Sequence, residues 1–107
     1  MMLDSKSYSQ VVLSMYAQLP DTPEQARAID RRVVRDLYSR QVPIPIIEAA
    51  FLLAAARRLS RSPDQPPLQP IRSVAYFLPI VDEIRQQPLP LHYVDYLRSK
   101  VPMKSAR

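Results

Sequence analysis

Apolar positions along the chain recur at helical rather than strand spacing. Tyr8, Val12, Met15 and Leu19 follow one another at steps of four, three and four, one face of a helix over Ser5 to Leu19. Val11 and Tyr16 widen that stripe, Asp4 or Ser5 can cap its start, and Pro20 stops its end. Thr22-Pro23-Glu24-Gln25 then has the form of a new helix start, with a capping threonine and proline at the first helical position. The helix it predicts runs from Pro23 to about Arg40, with Ala26, Ile29, Val33 and Leu37 inward. Val42-Pro43-Ile44-Pro45 breaks that helix, because a residue before proline avoids the α region.

A third helix is predicted from Pro45 to Ser60. Ile46, Ile47, Ala50, Phe51, Leu53, Ala54 and Leu59 leave it almost no polar face, so the helix over Ile46 to Leu59 belongs at the centre of the fold. Ser60 to Pro70 is the longest loop. Its prolines formally match a polyproline-ligand pattern, but a stiff connector is the simpler role. Val74, Phe77, Leu78, Val81 and Ile84 mark a fourth helix over Ile71 to Gln87, kinked or split at Pro79, with Asp82 and Glu83 in the first turn of the second half. Pro90 to Lys100 forms a short fifth helix with Tyr93, Val94 and Leu97 inward, and Val101 to Arg107 a frayed basic tail. No strand alternation and no internal repeat is visible. The expectation is one all-α domain over residues 1–107, a compact bundle of four to five helices with a proline-interrupted fourth.

Composition narrows the chemistry. The chain has 107 residues, 47% hydrophobic and 23% charged, an ordinary globular balance. It has no cysteine, which excludes disulfides, thiolate metal sites and a cysteine nucleophile. It has no glycine, which excludes glycine-rich phosphate loops and the glycine-flanked serine of a nucleophile elbow. The single histidine, His92, has no partner in sequence for catalysis or metal binding. No enzyme activity, cofactor or metal is expected. The apolar run from Ile44 to Ala56 is thirteen residues with Glu48 inside it. A membrane span needs about twenty. With no signal-peptide pattern at Met1-Met2-Leu3-Asp4, a cytoplasmic protein is expected.

Charge suggests a partner. Fifteen basic residues, twelve of them arginine, outweigh ten acidic ones, for a formal charge of +5. Arginine makes planar two-pronged contacts with phosphate and carboxylate. Arg27, Arg31 and Arg35 lie at successive i+4 steps opposite the apolar stripe of the second helix, where like charges repel. Asp30 can pair with Arg27, and Asp36 with Arg32. Arg57, Arg58 and Arg61 end the third helix, where cations complement the helix dipole, and Arg72 follows the loop. Tyr76, four residues beyond Arg72, is the best of the six tyrosines for stacking on a nucleic-acid base. Each feature also has a plain reading, as a solvated face, a helix terminus or a core-rim aromatic ring.

The stretch from Ile29 to Ile84 adds a pattern: a charged helix ending LYSRQVP, a helix beginning PIPIIEAAFLLAAARR, a loop, and IRSVAYFLPIVDEI. This layout resembles the C-terminal helical domain of DnaD/DnaB-type bacterial replication-initiation proteins. Ser73-Val74-Ala75-Tyr76 and Ile80 to Ile84 match the outline of that family's last element. The resemblance implies an all-α fold and contacts with DNA or with replication-initiation partners. The expected function is a small DNA-associated accessory protein, of replication or of a mobile element, that meets the phosphate backbone through arginine. The alternative is a helical interaction module whose arginines face an acidic partner or a second copy of the chain.

Overall fold

The computed structural model describes residues 3–104 and contains five α-helices and no strand among them. They are α1 (Ser5–Gln18), α2 (Ala28–Ser39), α3 (Ile44–Leu59), α4 (Leu78–Gln86) and α5 (Leu91–Lys100), with a 3-10 turn at Val74–Phe77 before α4. The all-α expectation holds, as does the split fourth helix. Pro79 sits in the first turn of α4, where its missing N–H deprives the helix of no bond. The preceding 3-10 turn is capped by the Ser73 hydroxyl, which accepts from the Ala75 amide. Asp82 and Glu83 fall beyond the first turn of α4, not within it, because the helix begins at Leu78.

α3 is the hub. Residues 47 and 49–55 are all buried, and α3 packs against α1, α4, α5 and the 3-10 turn. Alanines at 49, 50, 54 and 55 let these neighbours approach closely. Phe51 packs edge-to-face with Phe77 at 4.7 Å, and both lie within 6.3 Å of the Tyr16 ring, so one aromatic cluster joins α1, α3 and the 3-10 turn. Leu59, expected inward, is 52% exposed, because the helix runs past the elements that cover it.

Three expectations are corrected by tertiary contacts. Thr22 does not start a helix. Its buried hydroxyl donates to the Tyr16 and Leu19 carbonyls at 3.0 and 2.8 Å, closing the end of α1. Helix α2 begins six residues later and is capped instead by Asp30, whose Oδ2 accepts from the Arg27 amide at 2.9 Å. The inward face of α2 is therefore Asp30, Val34 and Leu37, and Ile29 is exposed. Asp30 is buried because its other oxygen accepts from the Val74 amide at 2.9 Å, joining α2 to the 3-10 turn. Finally, the tail is docked as far as it is described. Val101 is buried, the Lys104 amide donates to the Gln18 carbonyl, and the Lys104 ammonium donates to Thr22. The rest of the tail, residues 105–107, lies outside the described residues.

A chain without glycine must close its helices differently. α2 ends in a Schellman motif, with Val42 N–H bonded to Leu37 and Gln41 N–H to Tyr38. Gln41 takes the left-handed position there at φ 60°, and Asp21 does so after α1 at φ 65°. Each carries a steric cost of about 1 kcal/mol that glycine would not.

Candidate nucleic-acid interface

The outward side of α2 carries Arg31, Arg32 and Arg35, all exposed. At 100° per residue they lie within one arc of about 100° and over about 6 Å of helix rise. That is the scale of one to two phosphates on a duplex strand. Arg31 reaches only the Ala26 carbonyl, at 3.4 Å. Arg27 is not part of the helical row. It occupies the N-cap position, and its guanidinium donates to the Arg72 carbonyl. This tie, with the Asp30–Val74 bond, holds Arg72 at the N-terminal end of α2. There Arg27 and Arg72 line a cavity of about 530 Å3 with Thr22 and Ile71.

The other candidate arginines are engaged inside the fold. Arg57 makes a two-pronged bond to Glu83 at 3.0 and 2.6 Å. That bond holds the Glu83 carboxyl below the ordinary carboxylate value and raises the Arg57 guanidinium above its own. The Arg58 side chain is 9% exposed and donates to Tyr76 Oη, Asp21 Oδ2 and the Gln69 carbonyl. Burial opposes its charge, and the bonds to Tyr76 and Asp21 outweigh that, leaving its pKa raised. Arg61 donates to the Pro66 carbonyl at 2.8 Å and ties down the proline loop. Arg58 rather than Arg72 lies against Tyr76, 5.5 Å from its ring centroid, and the tyrosine remains partly exposed.

The carboxylates are distributed in a way the sequence spacing did not foretell. Asp36 pairs with Arg40 instead of Arg32, and Arg40 also reaches Asp82. Arg98 takes both Glu48 and Asp95. Asp30 makes no ion pair with Arg27, since both its oxygens are spent on backbone amides. Among the described residues, no carboxylate lies within ion-pair distance of Arg27, Arg31, Arg32, Arg35 or Arg72. The structure thus brings Arg31, Arg32 and Arg35 together, sets Arg27 and Arg72 at one end, and leaves Arg57, Arg58, Arg61 and Tyr76 elsewhere. Arg32 was missed because Asp36 stands at i+4 from it. The signal was Arg40, which stands at i+4 from Asp36 on the other side.

Among the described residues, no group of histidine, cysteine or carboxylate side chains is arranged to hold a metal ion, and no helix is long and apolar enough to cross a membrane. No protein-family model, characterised protein or solved structure matches the chain.

Proposed function

We propose that this chain is a small non-enzymatic DNA-associated accessory protein, of replication or of a mobile element, that grips the phosphate backbone with the outer face of α2. The observation that carries this reading is the segregation of charge. Carboxylates neutralise Arg40, Arg57, Arg58 and Arg98, while Arg31, Arg32 and Arg35 stand together without one. Guanidinium groups left uncompensated on one helix face suit an external polyanion, and backbone contact carries little base sequence information. The sequence pattern from Ile29 to Ile84, which resembles the DnaD/DnaB-type domains, suits the same setting.

The test is the affinity of the full chain for a labelled DNA duplex by fluorescence anisotropy over a range of salt. Each phosphate contact contributes a log–log slope of about −0.9. Replacing Arg31, Arg32 and Arg35 together by glutamine is expected to shallow the slope by about 1–2 units, equally on unrelated sequences. Arg57→Gln leaves the slope unchanged, because Arg57 is held by Glu83. A parent chain that does not bind at low salt overturns the reading, and so does a triple variant with the parental slope. The alternative reading is a helical interaction module whose arginines face an acidic partner or a second copy of the chain, and a stable complex indifferent to DNA would favour it.

A further inference from the structure

α5 packs on α3 through Val94 and Leu97, which are buried. This leaves Tyr93, Tyr96 and Lys100 on the flank that faces the last turns of α3. The Tyr93 and Tyr96 rings are stacked at 5.9 Å and 24°, and the Lys100 ammonium lies 5.5 Å from the Tyr96 centroid. Leu53, Ala56 and Leu59 of α3 form the opposite wall of a groove of about 610 Å3. Leu59 and Tyr96 are more than half exposed, at 52% and 53%. Tyrosine beside exposed leucine, with cations at the rim, has the composition of a protein interface.

The character of the occupant follows from charge and ring geometry. Arg57 and Lys100 line the groove; Arg57 is already held by Glu83, so Lys100 supplies the uncompensated charge there. Lys100 forms no ion pair among the described residues. A second copy docked face to face would set Lys100 against its equivalent, in a chain already carrying +5. Tyr96 already stacks with Tyr93 and carries the Lys100 ammonium 5.5 Å from its centroid, so less of its ring is left for a nucleic-acid base. The groove offers an apolar wall at Leu59, tyrosine hydroxyls and the Lys100 cation. An anionic segment with an apolar face matches all three.

We propose that the groove between α3 and α5 docks an acidic amphipathic helix of a partner protein. Apolar side chains at i, i+3 and i+4 spacing pack against the wall at Leu59, and flanking carboxylates meet Lys100 and the tyrosine hydroxyls. α5 spans about 15 Å, so the matching segment is two to three turns long. α5 packs chiefly on α3, whereas α2 packs on α1 and the 3-10 turn. The groove is thus separate from the arginine face, and its occupation does not depend on DNA binding.

The experiment is a proton–nitrogen NMR titration of the full chain with a synthetic helical peptide of about twelve residues, leucines on one face and glutamates on the other. Lysine replaces glutamate in the control peptide. The expected result is a set of shifts centred on Leu59, Tyr93, Tyr96 and Lys100 with the acidic peptide and none with the basic one. Tyr96→Ala and Lys100→Glu each weaken the acidic peptide at least tenfold. Because both side chains are exposed, each variant keeps the parental melting temperature within a few degrees, and either alone suffices for the test. The proposal is overturned by absence of shifts, by shifts centred on α2, or by an affinity that neither variant changes. Groove signals that respond to a thymidine oligonucleotide but not to the peptide overturn it in favour of nucleic acid. Groove signals that move with chain concentration alone, with a doubled mass in sedimentation, overturn it in favour of self-association.

Discussion

Asp30 is the most informative single residue to perturb. Its side chain is fully buried, with no cation beside it and two backbone amides as its bonds: Val74 at 2.9 Å through Oδ1 and Arg27 at 2.9 Å through Oδ2. Asp30→Ala orphans both amides. A buried donor left without a partner costs about 1–3 kcal/mol. Val74 is 1% exposed and bears that cost in full, whereas Arg27 is exposed and water can reach its amide. The loss is therefore set at about 2–4 kcal/mol, offset a little by no longer burying a charge. In a domain of this size each kcal/mol moves the melting temperature by about 4–8 °C, so a fall of roughly 10–25 °C is expected. Asp30→Asn keeps one acceptor oxygen and turns an amide NH2 toward the other donor, so it is expected to lose about half as much. Thermal and urea melts followed by circular dichroism give both numbers, with the urea slope unchanged if the native fold is kept. A loss below about 1 kcal/mol for alanine refutes the double cap. Equal losses for alanine and asparagine also refute it, because the charge rather than the two bonds would then be the stabilising feature.

Phe51→Ala removes the centre of the aromatic cluster and is expected to cost about 3–5 kcal/mol, and a denaturant melt showing under about 1 kcal/mol contradicts the packing described. Burial pushes the Tyr8 and Tyr16 hydroxyls up to about 12, and for Tyr16 the Asp30 charge adds to burial while Arg27 opposes it. The folded chain therefore holds two phenolic protons that the unfolded chain releases near pH 10, so stability is intact below about 10 and declines as pH rises toward 12. Ultraviolet titration should show these two tyrosines ionising only as the fold is lost, and all six ionising together near 10 would contradict it. In acid the sign reverses for Glu83, whose carboxyl is lowered by its bond to Arg57. Its contribution is present above the ordinary carboxylate pKa and lost as pH falls through the lower folded value, so Glu83→Gln should flatten the acid limb of the stability profile; superimposable limbs for parent and variant refute this.

Periodicity made the helix count, the central place of α3 and the break at Pro79 legible in the one-dimensional pattern. These features depend on local rules. A helix apolar on every side has to be covered on every side, and a proline can only begin a helix or interrupt it. The absence of glycine and cysteine likewise removed whole classes of chemistry without any coordinates. What failed were the assignments of Thr22, Asp30 and Asp36, polar groups with more than one possible partner. Thr22 satisfied a local capping pattern and Asp30 stood at pairing distance from Arg27, but Thr22 serves the helix before it, and Asp30 bonds an amide forty-four residues away. Asp36, Glu83 and Asp21 were free to pair with several arginines. Which pairings form depends on how α2, α3 and α4 approach one another, and that distance is not encoded at any fixed sequence spacing. Sequence alone therefore determined the order of the helices and the all-round burial of α3, because backbone geometry repeats every 3.6 residues, while the start and inward side of α2 were set by tertiary contacts. The tertiary structure decided which arginines are neutralised and which stand exposed, because ion pairs are selected by proximity in space.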